Sequence, residues 1–240
     1  TLVSGWSNSR GKKEATEDEL MKKYQSFKHF DAVEDFSDHH YTNLGLLGNR
    51  YAGEFLVLGR SFSAILSYSL SFLDIIYVRV CKEKKDLLRD VIIEPQGTPY
   101  HYGLFVFDIL FSQNYPDVPT VIIGVFLGLR LNPNLYNYGK VCLELVNTWS
   151  GKGNEKWLPK TSTMLQVLVS IQALILNGNP FFDKPGYITS YAGCEGERRS
   201  HACHEHAFVL SLKIMKRRPP KVMIVYPGSN FYFIQIFCQK

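Results

Sequence analysis

Asn132-Pro133-Asn134-Leu135-Tyr136-Asn137-Tyr138-Gly139-Lys140-Val141-Cys142-Leu143 is the stretch on which the reading of this chain turns. It shows no sustained periodicity and is rich in Asn, Gly and Pro. Proline and asparagine side-chain hydrogen bonds rigidify such loops. A rigid loop of this kind can hold a thiol at the surface at Cys142. By residue type alone a free cysteine is more often a buried, inert core residue.

Outward from that loop the pattern is regular. From Ile75 to Cys81 the chain has period two, with Ile76, Val78 and Val80 on one side and Tyr77, Arg79 and Cys81 on the other. That alternation predicts a strand. Lys82–Asp86 is a charged turn and Leu87–Glu94 a second strand. Pro95–Gly103 is a loop punctuated by Gly97, Pro99 and Gly103. Leu104–Leu110 alternates again, and Val121–Leu127 is a fourth strand beyond the two prolines of Asn114–Pro119. Short connections imply antiparallel pairing. After the loop, Ser162 or Thr163 can cap a helix from Met164 to about Leu176, apolar on most sides and so expected to be buried. Asn177 and Gly178 end it. A further helix is expected from about His204 to Arg217, with Phe208, Leu212 and Met215 on one face, stopped by Pro219 and Pro220. Strands first and helices after them predict an α+β fold: a four-stranded antiparallel meander with flanking helices.

Composition bounds the alternatives. The chain has 240 residues, 45% of them hydrophobic, which excludes a wholly disordered chain. Lys+Arg 27 against Asp+Glu 22 gives +5, but residues 181–240 alone carry net +5 and residues 1–40 carry net −2. The one basic cluster, Lys213–Arg218, reads as a helix end, so no nucleic-acid partner is expected. Five cysteines at 81, 142, 194, 203 and 238 form no disulfide framework. The polar start predicts no cleavable signal peptide. Free thiols in a reducing compartment follow, hence an intracellular, cytoplasmic protein, with nuclear or membrane-associated settings left open. Residues 55–76 are long enough for a membrane span, but Arg60, Asp74 and five serines weigh against one.

The ordered motifs resemble the ubiquitin-conjugating enzymes (E2s), whose active-site loop reads His-Pro-Asn, then Ile-Tyr-x-Asn-Gly-x-Ile-Cys-Leu. Gly97-Thr98-Pro99-Tyr100 with Gly103-Leu104-Phe105, the turn Tyr115–Pro119, Trp157-Leu158-Pro159 and Leu168–Leu174 match in order over about residues 75–220. The insert Asn147–Lys156, the run Asn179–Phe182 and Gly193–Arg199 resemble the large-E2 branch that includes the hybrid E2/E3 enzymes and a plant phosphate-homeostasis E2. The resemblance implies a UBC-like fold. It also implies ubiquitin taken from E1 as a thioester on Cys142 and passed to a lysine of a protein substrate. Asn134 is then an oxyanion donor or a brace for the loop, and Asp183 a group that orients the acceptor lysine. Ubiquitin, E1, protein substrates and an E3 ligase are the implied partners. No cofactor is implied, since ATP is used by E1.

Three departures stand out. Asn132 replaces the motif histidine. Asp117 stands where many E2s present an apolar side chain to ligases. The amphipathic first helix that faces E1 is replaced by residues 44–74, which are apolar and Ser-rich. The expected organisation is a mobile polar leader at 1–43, that segment at 44–74, a catalytic core at 75–220 and an atypical tail at 221–240. A catalytically impaired UBC-fold ubiquitin-binding or scaffold protein is the alternative that those departures leave open. Cys194, His201, Cys203, His204 and His206 also invite a zinc site, but they lack the paired-ligand turns of known zinc modules, so no metal is expected.

Overall fold

A computed structural model of the chain describes residues 28–42, 75–94, 97–101, 103–126, 128–148 and 156–216. The segment 44–74 and the tail 221–240 lie outside the described residues. Four strands run where the alternation predicts them, β2 (Ile76–Cys81), β3 (Leu87–Ile93), β4 (Leu104–Leu110) and β5 (Val121–Gly124), the last ending short of the expected Leu127. They pair antiparallel in chain order. Ahead of them lies β1 (Phe30–Val33), which pairs parallel to β2 with Phe30 opposite Val78. The sheet is therefore five-stranded and mixed, one strand more than the meander.

That extra strand corrects the expectation of a mobile leader for residues 28–42. Four residues of β-pattern among charges give almost no local signal. The partners decide it. Phe36 and Tyr41 pack with Cys81, Leu87 and Leu110 on the back of the sheet. The Arg89 guanidinium donates to Asp108 Oδ1 (2.5 Å) and Oδ2 (2.9 Å), and to Asp38 Oδ1 (2.7 Å). Arg89 and Asp108 are cross-strand neighbours on β3 and β4. The backbone N–H of His40 donates to Asp108 Oδ2 (2.7 Å). Burial pushes the pKa of His39 down. Its Nε2 donates to Leu88 O (3.0 Å) and its Nδ1 accepts from Tyr41 N, which fits a neutral ring.

The other face carries the main core. Ile76, Val78, Val80, Leu88, Ile92, Phe105, Phe107 and Ile109 meet the helices there. The first helix, α1 (Met164–Ser170), opens on a capping box. Gln166 N donates to Thr163 Oγ1, and Thr163 N donates to Gln166 Oε1. It continues as a wider π turn over Ile171–Ile175. Met164, Val167, Leu168, Ile171 and Ile175 are buried, whereas Leu174 is 53% exposed. The helix therefore lies on the sheet with one face open, rather than buried all round. A short α2 (Tyr187–Ser190) follows, then α3 (Cys194–Met215).

The last helix starts ten residues earlier than its pattern predicts. Glu195 and Glu197 suit its N-terminal dipole, and Glu195 accepts from both Arg198 and Arg199. Its inward residues are Ala207, Leu210 and Ser211, while Leu212 is exposed and Phe208 stacks on His101 (5.1 Å). Periodicity named the wrong face because the small residues Ala207 and Ser211 make the close contact. No helix among the described residues is long and apolar enough to cross a membrane.

Two acids, Asp90 on β3 and Glu94 just after it, lie on the side of Leu88 and Ile92, facing this core. Asp90 is 0% exposed and Glu94 is 3% exposed, and no oxygen of either has a hydrogen-bond partner among the described residues. Burial holds the Asp90 carboxyl well above the usual carboxylate range and pushes Glu94 up to about 8. A raised folded pKa means that the folded chain keeps a proton which the unfolded chain loses near pH 4.5. Stability from Glu94 is thus full below pH 4.5 and is lost as pH rises toward 8. His39 acts in the opposite sense only below about 6.5. Between pH 6.5 and 8 the urea midpoint should therefore fall, with Glu94 contributing about 2 kcal/mol of the loss at about 1.4 kcal/mol per pH unit. Glu94→Gln should remove that share and leave the slope of Asp90. A midpoint that climbs across this window rejects the assignment.

Candidate active site

The loop after β5 is an ordered hairpin. Leu135 and Val141 form an antiparallel bridge, and both are 0% exposed. Tyr136 N donates to Lys140 O (3.0 Å), and Cys142 N donates to Asn134 O (2.8 Å). With Leu135 and Val141 turned into the core, alternation puts Asn134, Tyr136, Lys140 and Cys142 on the outer face. Asn134 and Cys142, eight residues apart in sequence, thus become lateral neighbours. No hydrogen bond engages the Asn134 carboxamide among the described residues.

Gly139 makes this register possible. Its φ is +94°, and its carbonyl accepts from Gly124 N (2.7 Å) on β5. A Cβ there would lie 2.4 Å from Ile123 Cγ1 and 2.6 Å from Gly124 O. Only glycine allows both the left-handed turn and the close approach. Ile123 also bridges to Lys140, so the hairpin is an extension of the sheet edge.

Cys142 is 9% exposed, so the thiol sits nearly buried, as residue type alone favours and deeper than the surface position a rigid loop allows. The residues on either side of it are held by Thr148, which sequence reasoning missed. Thr148 Oγ1 donates to Val141 O (2.7 Å) and accepts from Leu143 N (2.9 Å). One hydroxyl thereby fixes the peptide groups before and after Cys142. Thr148→Val keeps the shape and orphans both groups, a loss of about 1–3 kcal/mol. It should slow or speed alkylation of Cys142 by a bulky thiol reagent several-fold as the thiol is displaced, with Thr148→Ser restoring the parent rate. A Ser variant that reacts as the Val variant does would discount the hydrogen bonds.

Asn132 occupies the motif-histidine position and is itself hydrogen-bonded through both ends of its carboxamide. It is 2% exposed. Its Oδ1 accepts from Asn134 N (2.7 Å), and its Nδ2 contacts Ile175 O (2.8 Å), Asp183 Oδ2 (2.8 Å) and Tyr100 Oη (3.0 Å). Asp183 accepts through its other oxygen from Asn177 Nδ2 (2.6 Å). Both oxygens of Asp183 are thus engaged, one bracing the loop through Asn132 and the other held by Asn177, and burial raises its pKa. The structure brings Asn134 to Cys142 and ties Asp183 to the foot of their hairpin.

A groove of about 400 Å³ begins at the residue after Cys142, lined by Leu143, Glu144, Leu145, Leu158, Gln166 and Leu174. The Tyr-Pro turn is held by Trp157, whose Nε1 donates to Pro116 O (2.7 Å). Asp117 is exposed on that turn. The histidines of α3 do not converge with its cysteines. His201 faces Glu205 (3.6 Å), and His204 lies 3.4 Å from Gly178 O. Among the described residues no group of three His, Cys, Asp or Glu side chains is placed to hold a metal.

The family profile described as ubiquitin-conjugating enzyme matches residues 73–202. The chain is 50% identical over 212 residues to the Arabidopsis thaliana protein named "Probable ubiquitin-conjugating enzyme E2 25", covering 87% of this chain and 34% of that protein. It is 48% identical over 236 residues to "Probable ubiquitin-conjugating enzyme E2 26" of the same plant, covering 97% of this chain and 42% of that protein. It is 39% identical over 201 residues to the human "Dual E2 ubiquitin-conjugating enzyme/E3 ubiquitin-protein ligase BIRC6", covering 75% of this chain and 4% of that protein. The chain spans between about a third and two-fifths of the two plant relatives. A hairpin that sets Asn134 beside Cys142, on the edge of an antiparallel meander backed by α1, agrees with that profile and those identities: the chain belongs to the ubiquitin-conjugating enzyme family.

Proposed function

We propose that this chain is an E2 that carries ubiquitin as a thioester on Cys142 and passes it to a lysine amine. The observation that supports it is the hairpin, which sets an unengaged Asn134 carboxamide beside a braced Cys142 at the head of an open groove. The Cys142 thiolate attacks the thioester carbonyl of charged E1, and sulfur replaces sulfur. The groove takes the extended C-terminal segment that ends in that carbonyl. When a lysine amine attacks, negative charge gathers on the carbonyl oxygen, and the Asn134 amide donates to it. In this reading Asp183 holds the loop through Asn132 and leaves lysine orientation to other groups. ATP is consumed upstream by E1, and no cofactor binds here. Partners are ubiquitin, E1, protein substrates and an E3 ligase, in a reducing intracellular setting where the thiols stay free.

The test is a charging reaction with E1, ubiquitin and ATP, resolved on a non-reducing gel. One added ubiquitin, removed by excess thiol, is the expected product. Folded protein that takes up no ubiquitin would instead support the scaffold reading.

A further inference from the structure

We infer that Lys140 is a built-in acceptor, a self-modification site that captures ubiquitin from Cys142 when no substrate lysine arrives. This rests on the thioester reading above. Three observations converge on it. Lys140 and Cys142 are two apart on one extended segment, so their side chains leave the same face. The bonds that fix this register, Tyr136 N to Lys140 O and Cys142 N to Asn134 O, flank both residues. Lys140 is exposed, and its amine has no ion pair or hydrogen bond among the described residues.

The reach is sufficient. Alternate Cα atoms on a strand lie about 6.6 Å apart. An extended lysine side chain spans roughly 6 Å from its Cα. The ε-amine can therefore arrive at a carbonyl carbon bonded to Cys142 Sγ without the backbone moving. Attack by the neutral amine forms a C–N bond and breaks the C–S bond. The sulfur leaves with the bonding pair and takes up the proton that the nitrogen sheds. The products are an isopeptide on Lys140 and a free Cys142 thiol, with no further reactant. Because both groups sit on one rigid hairpin, the step is unimolecular and gains from proximity. A charged enzyme without a substrate would therefore run down on its own clock and leave a bulky modification beside its nucleophile.

The experiment supplies ubiquitin as its 2-mercaptoethanesulfonate thioester, so that capture by Cys142 needs no E1. Thiol-labile and thiol-resistant adducts are followed over time at several protein concentrations, and the resistant one is mapped by peptide mass spectrometry. The expected result is a Gly-Gly remnant on Lys140, formed from the labile adduct at a rate constant independent of protein concentration. Lys140→Arg should lengthen the life of the labile adduct by about threefold or more. A labile adduct that forms but leaves no remnant on Lys140, or leaves it in proportion to protein concentration, overturns the inference while the E2 reading stands. Failure to form any labile adduct removes both.

Discussion

The Cys142→Ser chain should carry no thiol-labile ubiquitin, while Cys194→Ser should charge as the parent does. Exposure alone argues the opposite. Among the described residues Cys194 is the exposed thiol, at the N-terminus of α3, and Cys142 is nearly buried. Access is only one requirement of a nucleophile. The thiol must also be held so that an incoming carbonyl meets a fixed sulfur and its oxygen meets a donor. Cys142 has that arrangement: Asn134 alongside, Thr148 on both neighbouring peptide groups and a groove starting at Leu143. Cys194 has a helix end and solvent. Cys81 is buried under the strap of residues 28–42, and burial together with Asp183 pushes the Cys203 thiol up. Serine at 142 forms at most an oxyester that excess thiol does not release. The measurement is the non-reducing gel run with and without thiol. Labile charging that survives in Cys142→Ser and vanishes in Cys194→Ser would move the site.

Arg89→Met should cost about 3–5 kcal/mol, the range for removing one partner of a buried ion pair. Against the 5–15 kcal/mol of an ordinary domain that is a large fraction. The reason is what the substitution leaves behind. Arg89 and Asp108 are each 1% exposed at the side chain, and Asp108 would keep a buried charge with only the His40 N–H and the neutral His39 ring near it. The double variant Arg89→Met/Asp108→Leu should recover most of the loss, because two apolar groups of similar volume need no partner. Asp38→Ala should cost less, about 1 kcal/mol, since that carboxylate is 33% exposed and water replaces its partner. Urea midpoints of the four chains decide it. A single variant within 1 kcal/mol of the parent, with no gain in the double, would mean that the pair is held too weakly to matter.

Local rules carried the reading a long way. Alternation placed β2 to β4 within a residue of their bounds, and the Thr163–Gln166 pair opened α1 where a capping box belongs. Local rules failed where the deciding partner is remote or the residue is small. The strap of residues 28–42 reads as polar leader until Arg89, 51 residues beyond Asp38, is seen to take it. The inward face of α3 escaped because alanine and serine carry little hydrophobic signal and yet permit the closest packing. Asn132 looked like a defect of the motif. Its four contacts, to Asn134, Tyr100, Ile175 and Asp183, reach up to 51 positions along the chain, and no neighbour in sequence announces them.

By itself the sequence determined the strands β2 to β4 and a helix opening beside Thr163, because period-two alternation and capping are properties of adjacent residues. The pairing of Asn134 with Cys142 entered only through the resemblance. The tertiary structure alone decided how deep Cys142 sits, that Thr148 clamps it, that Asp183 braces the loop, and that an acidic N-terminal stretch covers the back of the sheet. Those outcomes depend on which buried polar groups find a partner from a distant segment. The cost of leaving such a group unpaired is what selects the arrangement.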